Sequence, residues 1–120
     1  MGKPNLKKLT EDLGFECLSG EALLDRIPQS AYVSDLLSDV MGKAHADMMW
    51  ITSQVHKNIV AVALLKELSA IVIVNERPVE KELLEQAEDE EIVVLSSNLP
   101  AFETAGKLYN YFLGVENSKS

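Results

Sequence analysis

The sequence predicts an α/β fold: a layered, mostly parallel β-sheet flanked by helices. Three observations carry this. From residue 48 onward, short β-prone runs alternate with helical patterns across loops of a few residues. Two of those runs, Ile71-Val72-Ile73-Val74 and Ile92-Val93-Val94-Leu95, are continuously apolar, the mark of strands buried on both faces. The chain has 120 residues, 47% of them hydrophobic, which is enough for one domain with one proper core. Parallel strands joined this way imply right-handed crossovers.

Each element has a local reason. Leu6, Leu9 and Leu13 recur at helical spacing behind Asn5, a good N-cap, and Gly14 ends the pattern. Residues 15–18 read as a brief strand and Ser19-Gly20 as a turn. Residues 21–25 form about one helical turn before Pro28. Ala31-Tyr32-Val33 is a short strand, after which Ser34 or Asp35 can cap a helix bearing Leu36, Leu37, Val40 and Met41. Residues 48–52 form a strand. Residues 58–68 form a helix apolar nearly all round, expected to pack deeply. After the 71–74 strand, residues 80–90 form a helix with Leu83, Leu84 and Ala87 inward. The 92–95 strand follows. Ser97 or Asn98 then caps a last helix whose buried stripe is Phe102, Ala105, Tyr109 and Phe112. Gly114 ends it, and residues 115–120 read as a frayed tail of a single domain covering 1–120.

The formal net charge of −8 repels phosphate backbones and anionic lipids, so no nucleic-acid or membrane partner is expected. Residues 1–8 lack the apolar stretch of a signal peptide, and the longest apolar run, 59–65, is far too short to span a bilayer. Both point to the cytoplasm. Cys17 is the only cysteine, which rules out an internal disulfide or a cysteine cluster. Beside Phe15 and Leu18 it reads as a small apolar residue.

Enzyme signatures are mostly absent. There is no GxxxxGK[ST] phosphate loop, GxGxxG, HExxH or GxSxG. His45 and His56 have no third histidine or cysteine to complete a zinc site, so no metal and no cofactor are expected. The carboxylates of 80–91 read as a solvated face.

One segment stands apart: Trp50-Ile51-Thr52-Ser53-Gln54-Val55-His56-Lys57-Asn58. It runs from a strand end into a helix N-terminus, the place where open α/β sheets collect ligands. Ser53, Gln54, His56 and Asn58 are the candidate binding groups. The bland alternative is that Ser53 or Asn58 caps the helix. If the strands are parallel, Asn75, Glu76 and Arg77 open on the same edge, with Ser34 and Asp35 as neighbours. Arg77 suits a phosphate or carboxylate, and Gln54 and Asn58 can both donate and accept. His56 would make binding sensitive to pH near neutrality.

Tyr32-Val33-Ser34-Asp35-Leu36-Leu37-Ser38-Asp39-Val40-Met41, then Trp50-Ile51-Thr52, then Gln54-x-His56-x-Asn58-Ile59-Val60-Ala61-Val62-Ala63, resemble the short stand-alone DRTGG-domain proteins. Phe102-Glu103-Thr104-Ala105-Gly106-Lys107-Leu108-Tyr109 resembles their last helix. The resemblance runs from about Leu6 to Leu113. It implies the fold of the N-terminal domain of HPr kinase/phosphorylase. The kinase chemistry of that family lives in a separate phosphate-loop domain, so an HPr serine kinase label is not carried over. The sequence departs from the family's name-giving motifs: Val55-His56 stand at the Asp-Arg pair, and the Thr-Gly-Gly turn falls near Val74-Asn75-Glu76.

What the resemblance implies is a non-catalytic regulatory or interaction module, expected to be a homodimer. It would sense a small anionic or nucleotide-like ligand, or engage a protein partner. The setting it implies is accessory to anaerobic hydrogenase or central metabolism. Tyr32, Leu36, Met41, Met48 and Met49 are the expected dimer surface. The rival readings are a small enzyme using His56 as general base beside Asp35 or Glu76, and an assembly factor with no ligand.

Overall fold

The structure, a computed structural model, describes residues 3–117. Eleven elements follow in chain order: α1 (Leu6–Leu13), β1 (Glu16–Ser19), a 3-10 turn (Glu21–Leu23), β2 (Ser30–Val33), α2 (Leu37–Lys43), β3 (Met48–Thr52), α3 (Asn58–Leu65), β4 (Ala70–Ile73), α4 (Lys81–Asp89), β5 (Val94–Ser96) and α5 (Ala101–Asn117). The strands form one sheet in the order β1-β5-β4-β3-β2. β2, β3, β4 and β5 run parallel, and β1 pairs antiparallel with β5. The predicted class is therefore the observed one.

Strand alternation sorts the core into two layers. Trp50, Ile71, Ile73 and Val94 point to one face, where they meet Val40 of α2, Ile59 and Ala63 of α3, and Leu83 and Ala87 of α4. Met49, Ile51, Val72 and Leu95 point to the other, against Leu6 and Leu9 of α1 and Leu108 of α5. Each fully buried large side chain contributes roughly 1.5–3 kcal/mol by leaving water. Met49 is wholly buried, so of the expected dimer surface it belongs to the core.

Several boundaries are set as the sequence predicts. The Asn5 side chain accepts the N–H of Lys8, and Gly14 ends α1 at φ 72° with its N–H donating to Thr10. Gly20 is left-handed at φ 81°, and an added Cβ there would lie 2.8 Å from the Val93 Cα, so only glycine lets the chain pass over the residues that lead into β5.

Other expectations are corrected. α3 stops at Leu65, not 68, because Glu67 turns left-handed (φ 56°) and the Leu68 N–H reaches back to the Ala63 carbonyl, an end usually built with glycine. Its outward face leaves Leu64 and Leu65 exposed, so it packs less deeply than its composition suggests. α5 is rotated from the expected stripe. Phe102 is 86% and Tyr109 66% exposed, while Leu108 is 1% exposed and Thr104 is fully buried. The Thr104 hydroxyl lies 2.8 Å from the Ser97 hydroxyl and also reaches the Leu99 carbonyl, which lets a polar side chain take a core position. α5 also continues through Gly114 to Asn117. Of the expected frayed tail, residues 118–120 lie outside the described residues.

Candidate functional site

Parallel pairing brings the ends of β2, β3 and β4 to one edge, and the three following loops meet there. The β2–α2 loop carries Asp35 into the β3–α3 loop. The carboxylate of Asp35 accepts the Thr52 hydroxyl at 2.8 Å, the Ser53 backbone N–H at 2.7 Å and the Ser53 hydroxyl at 2.7 Å. Gln54 closes the contact from the other side: its Nε2 donates to the Asp35 carbonyl at 3.1 Å, and its own N–H donates to the Thr52 hydroxyl. From the loop after β4, the Arg77 guanidinium donates to the Ser53 carbonyl.

Electrostatics follow from this geometry. Partial burial of Asp35 works against its charge, but the Ser53 amide and hydroxyl, the Thr52 hydroxyl and the nearby Arg77 charge outweigh it. The carboxyl is held below the usual carboxylate range. The loop backbone is fastened as well. The indole N–H of buried Trp50 donates to the Ser34 carbonyl at 2.8 Å, and the Ser34 hydroxyl accepts the Leu36 N–H. Neither Ser34 nor Asp35 caps α2 in the expected way, since α2 starts after Leu36 without a side-chain cap. Tyr32 of β2 donates to Asp39 of α2 at 2.8 Å, so α2 is tied to the same strand.

The candidate residues therefore divide into three groups. Ser34, Asp35, Ser53, Gln54 and Arg77 are brought together. His56 and Asn58 are not part of that cluster. The His56 Nδ1 accepts the Asn58 N–H at 3.1 Å, which makes the imidazole a cap for the start of α3. With Lys57, His56 instead lines a shallow hollow of about 250 Å³ that also includes Glu80 and Glu82. Neither Asp35 nor Glu76, the carboxylates expected beside His56, is hydrogen-bonded to it among the described residues.

Asn75 and Glu76 form the third group. Both are left-handed, at φ 62° and 49°, and their N–H groups donate inward to the Leu99 and Ser97 carbonyls at 2.8 Å. Those amides are occupied by the β5–α5 loop, so the backbone of this turn offers no anion cradle. Thr52 is the member of this cluster that sequence reasoning passed over. Its signal is a hydroxyl at the last position of a buried strand, followed directly by a second hydroxyl.

A separate groove of about 600 Å³ lies between edge strand β2 and α5. Val33, Ile51, Phe102, Leu108, Tyr109 and Phe112 are among its walls, and none of its lining residues is charged. Among the described residues, no set of side chains is grouped to hold a metal ion, and no helix is long and apolar enough to cross a membrane.

The family description of the DRTGG domain matches residues 8–111 of the 120. The chain belongs to the DRTGG-domain family. The fold of this DRTGG chain is similar to part of the crystal structure of the CBS and DRTGG domains of the regulatory region of Clostridium perfringens pyrophosphatase, complexed with the activator diadenosine tetraphosphate. The TM-score is 0.69 at 16% identity over 93% of this chain. The match spans 47% of that structure's chain, about half its length. No curated protein matches the sequence. Asn75 and Glu76 lie near the place where the resemblance puts the Thr-Gly-Gly turn, and both hold a left-handed conformation that glycine adopts without strain.

Proposed function

We propose that this DRTGG chain is a non-catalytic regulatory module that senses a small anionic, nucleotide-like ligand at the carboxyl edge of its sheet. The observation that carries this is the convergence of Asp35, Ser53, Gln54 and Arg77 from three loops, with the Arg77 guanidinium facing solvent at the loop junction. Arginine presents a planar fork of donors that fits phosphate oxygens. The groups around it are paired with one another in a structural network rather than arranged as nucleophile and base. His56, the residue a small enzyme would need as base, spends one ring nitrogen on the Asn58 amide. The regulatory setting of the Clostridium perfringens domain and its nucleotide activator support the ligand class. The net charge of −8 sets a limit: the long-range field opposes any anion, so the ligand must be small and closely chelated.

Self-association belongs to the same reading. The charge-free groove beside β2 gives two copies of an acidic chain a place to meet without like-charge repulsion. An accessory role beside anaerobic hydrogenase or central metabolism rests on the family resemblance alone. A cytoplasmic setting rests on the sequence.

A thermal-shift screen with diadenosine tetraphosphate, ATP, pyrophosphate and sugar phosphates tests the ligand class, because a specific ligand stabilises the folded state by mass action. A rise in melting temperature with a phosphate compound supports the proposal. No shift with any of them at millimolar concentration contradicts it.

A further inference from the structure

The end of β3 has the composition of an anion site. A backbone N–H and two hydroxyls converge on one small volume, and a guanidinium lies beside it. That volume is filled from within the chain, because the three donors close on the Asp35 carboxylate at 2.7–2.8 Å. A carboxylate and a phosphate present the same chemistry to such donors: negative oxygens that only accept. We infer that Asp35 is an internal competitor that occupies a phosphate-binding cradle formed by Thr52 and Ser53, and that a ligand phosphate binds there by displacing it. This rests on the ligand-sensing reading and adds the mechanism of its regulation.

Asp35 stands on the short loop between β2 and α2, and α2 begins without a side-chain cap. The loop is held inward by the Gln54 amide on the Asp35 carbonyl and the Trp50 indole on the Ser34 carbonyl. Trp50 is buried and stays with β3, so its bond marks the fixed side of the hinge. The Gln54 bond, and the three bonds to the carboxylate, are those the ligand must break. Expelling Asp35 moves the start of α2, and the exposed Leu36 with it. Binding at the cradle is thereby converted into a displacement of a surface loop, which is how a sensing module passes on its state.

Competition of this kind lowers apparent affinity by the fraction of time the cradle is open. The test is calorimetric titration of the full chain with pyrophosphate, comparing wild type, Asp35→Asn and Asp35→Ala. Asp35→Asn keeps the side-chain shape and removes the charge, and circular dichroism checks that each variant is folded. The expected order of affinity is Asp35→Ala above Asp35→Asn above wild type, with a gain of about tenfold or more for the alanine variant. Thr52→Val in the Asp35→Asn background should remove the gain, because it takes one donor from the cradle.

Equal or weaker pyrophosphate binding by both folded Asp35 variants overturns the inference. If wild type binds, Arg77→Ala abolishes binding, and the Asp35 variants gain nothing, then ligand sensing stands and the competitor role falls. If the Asp35 variants bind and wild type does not, the competitor role stands and sensing by the wild-type chain falls.

Discussion

The Asp35 carboxylate accepts the backbone N–H of Ser53 at 2.7 Å across 18 residues of sequence. With the Thr52 and Ser53 hydroxyls and the Gln54 amide, this bond joins the β2–α2 loop to the β3–α3 loop. Asp35→Ala leaves one N–H and two hydroxyls without their charged acceptor. At a partly solvated site, water takes over some of those bonds, so the expected loss is about 1–3 kcal/mol in urea unfolding. A loss below the error of the measurement would mean that the network is incidental.

The same bond predicts a pH dependence. The folded-state pKa of Asp35 lies below its unfolded value, so its stabilisation is fully present above the unfolded value of about 3.9. It is lost as pH falls from there through the folded pKa. Asp39, held down by the Tyr32 hydroxyl, and Asp12, held down by Lys8 and Tyr111, shift in the same direction. Wild type should therefore lose stability in acid, and Asp35→Asn should lose less over the same window. Parallel acid profiles for the two proteins would show that Asp35 is not a source of the effect.

Glu76→Gly should stabilise the fold. A non-glycine residue at φ 49° carries left-handed strain of roughly 1–2 kcal/mol, and glycine removes it at some cost in unfolded-state entropy. The net gain expected is about 0.5–1 kcal/mol in thermal or urea denaturation. Destabilisation would mean that the Glu76 side chain makes a contribution its exposed position does not suggest.

The register of α5 separates two readings of one helix. Leu108→Ala should cost about 2–4 kcal/mol, as expected for a large core side chain, whereas Phe102→Ala should change stability by no more than about 0.5 kcal/mol. The reverse ranking would restore the stripe expected from hydrophobicity.

That helix shows what the sequence could and could not disclose. β-branched runs at 71–74 and 92–95 and the short loops between elements were enough for the sheet, because strands buried on both faces have no other plausible composition. The polar strand-end loops were likewise legible, since parallel pairing alone brings Asp35, Ser53 and Arg77 to one edge. The α5 face was not, because Thr104 enters the core only through its contacts with Ser97 and Leu99. The end of α3 before Glu67 was equally hidden: Glu67 is left-handed, and glutamate gives no stop signal. Asp35 read locally as a helix cap, and its true partners, Thr52 and Ser53, lie 17 and 18 residues away.

Self-association through the groove beside β2 predicts that Phe102→Asp shifts sedimentation from dimer to monomer at tens of micromolar protein. The fold should be unaffected, because Phe102 is 86% exposed. A wild-type chain that sediments as a monomer at that concentration would remove the dimer from the proposal.

Ligand sensing at the carboxyl edge is tested most directly by calorimetric titration of diadenosine tetraphosphate into wild type and Arg77→Ala. Arg77 has an exposed side chain and one hydrogen bond to the Ser53 carbonyl, so its removal should leave unfolding nearly unchanged. The predicted result is saturable binding by wild type and a loss of about 1.5–3 kcal/mol in Arg77→Ala, the value of a charge-assisted hydrogen bond. Absence of binding by wild type, or full affinity in Arg77→Ala, would contradict the assignment of this edge as the sensing site.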